Sequence, residues 1–260
     1  LIAPAVLLPL NGLLVKLAYA IVPEVKEPEK TELLDERLLE TPAFAVGRAT
    51  EVTCAMADIS CSAFRSALAL FDSYDAKEAE SIRTLESKAD MYEDTLGSYL
   101  VKLSSCELAA KDSAQVTKLL HIIGDFERIS DHAVNLVESA EEMKEKKLSF
   151  SAQAQAELGV LRSAVEEILR IATEAFVNND VALAQEVEPL EQVVDDLRDQ
   201  IKLGHVLRLQ KSECTIEHGF ILADLLNNFE RVSDHCSNIA VCVIEIAHGS
   251  LRLTLSDATT

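Results

Sequence analysis

The stretch DFERISDHAVNL at residues 125–136 returns as NFERVSDHCSNI at residues 228–239, an offset of 103. Upstream, I-x-x-L-E-x-x-x-D-x-x-x-D from Ile82 to Asp94 returns as V-x-x-L-E-x-x-x-D-x-x-x-D from Val187 to Asp199, an offset of 105. Two matched blocks whose offsets differ by two residues are what an internal duplication of roughly 100 residues leaves when one loop has changed length. The repeated blocks decide the fold, because both lie on helical periodicity. Apolar residues recur at alternating spacings of three and four in Ile82, Leu85, Ala89, Tyr92, Leu96, Tyr99 and Leu103. The same spacing runs through Leu119, Ile122, Phe126, Ile129, Ala133, Leu136, Ala140 and Met143, and again through Leu222, Leu225, Phe229, Val232, Cys236, Ile239, Val243 and Ile246. Such a seam buries one face of a helix against its neighbours.

KEKKLSFS (144–151), NND (178–180) and QKSE (210–213) interrupt the pattern and predict further helices near 152–178, 181–209 and 214–248. The expected fold is all-α: two tandem antiparallel three-helix bundles, six long helices in all, over 44–145 and 150–248, with a tail at 249–260. Composition agrees. Five of the six prolines precede residue 43, Pro189 is the sole later one, and Trp is absent. A long Pro-poor stretch rich in Ala, Leu, Glu and Asp favours helices over a sandwich or barrel. With 24 Lys and Arg against 44 Asp and Glu, the net charge is −20. Nothing in surplus neutralises phosphates, so nucleic acid is excluded as a partner and cations or basic partners are favoured. The six cysteines (Cys54, Cys61, Cys106, Cys214, Cys236, Cys242) form no C-x-x-C pair and read as reduced thiols of a cytosolic compartment.

The first 43 residues differ from the rest. Residue 1 is Leu, so the sequence reads as starting inside a longer protein. Residues 1–23, LIAPAVLLPLNGLLVKLAYAIVP, read as the end of a transmembrane helix plus an interfacial segment; the competing reading is an amphipathic strut on the bundles. Residues 24–43 follow as a charged linker or short exposed helix.

The chemistry-bearing pattern is acidic. Glu86, Asp90 and Asp94 stand at i, i+4 and i+8, as do Glu191, Asp195 and Asp199. Glu127 and Asp131 are i, i+4 with Asn135 next on the stripe, and Glu230, Asp234 and Asn238 repeat the arrangement. Four helical residues rise about 6 Å and turn about 400°, so these carboxylates share a face and can bracket a cation. Heptad register puts the Glu127 stripe away from the seam, on a solvent-accessible face. An all-oxygen donor set suits Mg, Ca, Mn or ferric iron. A solvated acidic face is the competing reading, since so acidic a chain has carboxylates almost everywhere. His132 and His235 stand at i+5 from the Glu, not at the Glu-x-x-His spacing of di-iron carboxylate bundles, and read as packing or capping residues. Arg128 and Arg231 read as partners of neighbouring carboxylates. No Gly-rich phosphate loop, nucleophile elbow or H-E-x-x-H is present in the sequence, and no nucleophile with a base argues for an enzyme.

At DFERISDHAVNL and NFERVSDHCSNI the sequence resembles the PhoU family, and the resemblance covers about residues 44–248. LLPLNGLLVKLAYAIVP is similar to the membrane exit of sodium/phosphate cotransporters that carry a cytoplasmic PhoU-like part. That resemblance implies a cytoplasmic regulatory or accessory domain of a sodium-dependent phosphate transporter, at the inner face of the cell membrane. Its partners would be the membrane-embedded transporter domain and a second copy of the chain. The alternative is a free-standing PhoU-type metal-binding regulator of phosphate uptake and signalling. Carried over position by position, the resemblance implies metal binding at Glu86, Asp90, Asp94, Glu127 and Asp131, and at Glu191, Asp195, Asp199, Glu230 and Asp234.

Overall fold

A computed structural model describes residues 34–257, with side chains to residue 247. The expected transmembrane or interfacial segment at 1–23 and the first half of the charged linker, 24–33, lie outside the described residues. The described part is helical throughout: α1 (Pro42–Ala69), α2 (Ala76–Ser104), α3 (Ala110–Lys146), α4 (Ala152–Asn178), a single turn α5 (Val181–Ala184), α6 (Val187–Gln210) and α7 (Ile216–Asp257). A 3-10 turn at Glu36–Glu40 precedes them. It lies against the end of α2, where Tyr99 donates its hydroxyl to the Asp35 carbonyl at 3.4 Å and Lys102 pairs with Glu36. α1 to α3 form one three-helix bundle and α4, α6 and α7 the second.

The ends of the helices are written locally. Asp75, Ser151 and Asp180 are N-caps whose side chains accept backbone N–H groups two or three residues on, satisfying donors that a helix start leaves orphaned. α3 and α4 end on Lys147 (φ 52°) and Asn179 (φ 53°) in the left-handed conformation. The next amide then reaches back five residues, Leu148 to Met143 and Asp180 to Ala175, both at 2.9 Å. That is the Schellman closure, made here without glycine. The helix expected over 181–209 is divided. Pro189 has no N–H to give an interior hydrogen bond, and a helix restarting at Val187 places it in the first turn, where none is needed. The last helix continues past residue 248 to Asp257.

The predicted seams are buried, with Leu85, Met143 and Ile246 only partly covered. α3 buries a second stripe as well: Val116, Ile123, Ser130 and Val137, one per heptad. Its counterpart on α7 is Leu226, Ser233 and Ala240. A helix with two buried stripes needs two sets of partners, and α3 packs both on α1 and α2 and on α7 of the other bundle. The contact is reciprocal. Phe126 of α3 meets Phe176 of α4 with ring centroids 5.5 Å apart, and its repeat-mate Phe229 of α7 meets Phe64 of α1 at 6.4 Å. All six cysteines are free, with Cys61 and Cys236 buried and the others half-buried.

Phe126 is fully buried between the halves. Phe126→Ala is expected to lower unfolding stability by about 3–5 kcal/mol, read by urea denaturation, because the site cannot collapse around the lost ring. A loss under about 1 kcal/mol would mean that the two bundles do not share a core.

Candidate functional site

The motif DFERISDHAVNL presents different residues to different neighbours. At the contact between the halves, His132 Nδ1 lies 2.8 Å from Asn228 Oδ1, which also accepts from Asn135 Nδ2 at 3.2 Å. In mirror fashion His235 Nδ1 lies 2.9 Å from Asp125 Oδ1, which accepts from Asn238 Nδ2 at 3.2 Å. The two imidazoles face each other with centroids 5.7 Å apart. The histidines therefore tie α3 to α7, in keeping with a packing role. Burial first, offset in part by the Asn228 bond, holds His132 below the ordinary histidine range. Asp125 and Asn228, the receiving residues, were not picked out by sequence reasoning. They head the two matched stretches, and the Asp/Asn difference there was the available signal.

The acids turn toward the second helix of each bundle. Glu127 and Asp131 keep only 20% and 31% of their side-chain surface exposed. The solvent-accessible face expected for them is thus a half-buried one, because α2 lies over the flank that heptad register left free. The third member of the stripe, Asn135, goes to α7 instead. Glu127 is the focus of the first cluster. Burial, then the charge of Asp131, push its carboxyl up to about 7, with Glu93 and Asp90 adding and Arg128 opposing. Glu86 is raised by burial and by the charges of Asp131 and Asp90, and Glu93 by burial and by Asp94 and Asp90. Arg128 pairs with Glu127 at 3.4 Å and Asp131 at 3.1 Å, as expected for it, and stands 61% exposed at the outer edge. Asp94 is exposed; Glu93, one residue before it and outside the E-x-x-x-D pattern, is the half-buried one.

The second cluster is assembled differently. Arg198 pairs with Glu230 across the α6–α7 contact and with Asp195 and Asp199 along its own helix, both at 3.1 Å. Its side chain is 14% exposed. The two remaining candidates, Glu191 and Asp234, line an open cleft of about 460 Å³ with Glu188, His235 and Asn238. Both are raised by burial, then by like charge: Asp195 for Glu191 and Glu230 for Asp234. Arg231 pairs with Asp234 at 3.3 Å.

As placed, no group of three or more His, Cys, Asp or Glu side chains among the described residues is gathered closely enough to hold a metal ion. The donor chemistry of the first cluster nonetheless fits a hard cation: all its ligating atoms are carboxylate oxygens and mutually repelling, with one driven toward the neutral form. They are half-buried at Glu86, Glu93, Glu127 and Asp131 and exposed at Asp90 and Asp94. The second cluster fits less well at Asp195, Asp199 and Glu230, where a guanidinium is already seated.

A carboxyl whose folded pKa is raised stabilises the fold fully below its ordinary value of 4.5, and loses that contribution as pH climbs through about 7. In chelated buffer Glu127→Gln is expected to raise the melting temperature at pH 8, with the gain fading toward pH 5. A gain equal at both pH values would show that Glu127 is not held near neutrality.

Comparison with known proteins completes the picture. The PhoU domain family matches residues 53–140 and 160–243, one match per bundle. An accessory protein of the phosphate-specific transport system from Thermotoga maritima, PhoU homolog 1, is 27% identical over 139 residues, covering 54% of this chain and 59% of that protein. A Salmonella typhimurium protein, YjbB, named for inorganic phosphate export, is 23% identical over 225 residues, covering 86% of this chain and 41% of that protein. The chain thus aligns with about half the length of these two relatives. The crystal structure of PhoU from Pseudomonas aeruginosa superposes with a TM-score of 0.73 at 22% identity, covering 81% of this chain and 99% of that one. The chain belongs to the PhoU domain family.

Proposed function

We propose that the chain is a non-enzymatic accessory protein in the regulation of phosphate transport, acting as a PhoU-type regulator that binds hard cations through its acidic clusters. The observation that carries the regulatory reading is the family match over both bundles, on a six-helix fold shared with a PhoU crystal structure. The cation part rests on the half-buried, self-repelling carboxylates around Glu127. Mn, Mg, Ca or iron would each suit oxygen donors. A second copy of the chain is a further partner in this reading.

The second reading, a cytoplasmic domain serving a membrane-embedded sodium-dependent phosphate transporter, is favoured by two observations. The likeness to the phosphate-export protein spans most of this chain and under half of that protein. Residues 1–23 are also strongly apolar in sequence. None of the helices searched among the described residues is long and apolar enough to cross a membrane. Location at the inner face of the cell membrane therefore rests on the first 23 residues in this reading. Fractionation of the full chain decides between the two: a regulator distributes with soluble proteins, whereas the second reading requires a membrane pellet resistant to high salt.

Phosphate flux tests the shared claim. Loss of the gene is expected to change radiolabelled phosphate uptake, or its repression by excess phosphate, at least severalfold, with restoration by the full chain. Unaltered uptake and repression would overturn it. For the cation, saturating Mn at ~100 times its Kd would add about 2.7 kcal/mol to stability, roughly 5–10 °C in melting temperature for a domain of this size. The double change Asp131→Asn with Asp234→Asn is expected to abolish most of that rise, with metal content falling in parallel by elemental analysis. A melting temperature indifferent to metal would remove the sites and leave the fold standing.

A further inference from the structure

The duplication makes a position-by-position comparison of the two clusters possible. Asp90, Asp94 and Glu127 correspond to Asp195, Asp199 and Glu230, all acidic in both halves. Between them one position reverses its charge: Glu93 in the first half is Arg198 in the second. The reversal has a visible consequence. In the first half Glu93 is half-buried and adds to the repulsion on Glu127. In the second, Arg198 points into the same place and pairs with all three carboxylates. The other arginines do not account for this difference, because Arg128 and Arg231 are repeat-mates on α3 and α7 and are similarly exposed, at 61% and 65%.

We propose that Arg198 is the resident cation of the second half, closing at Asp195, Asp199 and Glu230 the ion position that their repeat-mates Asp90, Asp94 and Glu127, with Glu93 in place of the arginine, leave open in the first. The inference rests on the cation reading above and makes the two clusters unequal. A guanidinium never deprotonates in a protein and offers five donors in a planar fork, which suits carboxylates arriving from two helices. Being tethered, it competes at the millimolar or higher effective concentration of an intramolecular partner. A free divalent ion would have to expel it and leave a poorly exposed guanidinium without a partner, which is costly. Glu191 and Asp234 escape this closure. Glu191 stands seven residues from Arg198 on α6, about 10 Å away at 1.5 Å each, and faces the cleft with Asp234 of α7.

The test is Mn titration of the metal-stripped full chain, with free Mn read by electron paramagnetic resonance and folding checked by helical circular dichroism. In wild type, Glu127→Gln is expected to remove about one bound equivalent and Glu230→Gln none. Glu93→Arg, which transplants the second half's residue into the first, should remove the same equivalent as Glu127→Gln. Arg198→Gln should add about one equivalent, lost again when Glu230→Gln is combined with it. The proposal is overturned if Glu230→Gln costs wild type as much Mn as Glu127→Gln, or if folded Arg198→Gln binds no more than wild type. In either case Mn binding by wild type would leave the cation reading intact. Absence of Mn from wild type and Arg198→Gln alike would overturn the cation reading and this inference together. The two wild-type comparisons need no Arg198 variant, so a failure of that variant to fold leaves the decision to them.

Discussion

Much of this molecule follows from the fact that α3 and α7 each bury two stripes of the same helix. The seam reaches the other half, where Phe126 meets Phe176 and Phe229 meets Phe64. The second stripe is Ile123, Ser130 and Val137 on α3 and Leu226, Ser233 and Ala240 on α7, and Ile123 lies beside Gly97 of α2 in its own bundle. Burying both stripes closes each bundle and joins the two along α3 and α7, which leaves few free flanks. The histidines and asparagines fall at the contact with the partner half, where buried polar groups need hydrogen bonds and find them reciprocally. The acids fall on the flank facing the second helix of their own bundle. Carboxylates that would be harmless on an open face are there desolvated and brought near others. The electrostatic tension at Glu127 is thus a by-product of apolar packing.

That division explains why a short motif can carry so much. Within DFERISDHAVNL, Phe126 fills the core between the halves, Glu127 and Asp131 face α2, and Asp125, His132 and Asn135 bond across to α7. Each residue is constrained by a different neighbour. The two copies differ even at positions with several partners, Asp125 and Asn228 each bonding a His and an Asn and Arg198 pairing with three carboxylates. Asp125 stands in one half where Asn228 stands in the other, and Glu93 where Arg198 does, on the same packing.

The elements were legible from sequence because their signals are local. The 3-4 spacing marked the seams, and KEKKLSFS and NND marked helix ends whose left-handed residues, Lys147 and Asn179, lie inside those stretches. Pro189 was visible too, but its effect, a break before Val187 instead of a bend, depended on where the first turn could absorb a missing N–H. The sites were less legible. Matching E-x-x-x-D treats the intervening letters as blanks, and Glu93 and Arg198 are such letters. Their importance appears only when α3 and α7 bring Glu127 and Glu230 against them. Heptad register likewise identifies which face is off the seam without saying which neighbour covers that face, so Glu127 and Asp131 read as accessible when they are half-buried.

Packing drives the Glu127 carboxyl of the first cluster toward neutrality. The direct measurement is a carbon-13 NMR titration of the Glu127 side-chain carboxyl in chelated, full-length protein, assigned by comparison with Glu127→Gln. A midpoint near the expected value of about 7 would agree with a half-buried carboxylate facing Asp131, Glu93 and Asp90. A midpoint at the ordinary glutamate value of 4.5 would contradict it, and would return the acidic stripe to a solvated surface.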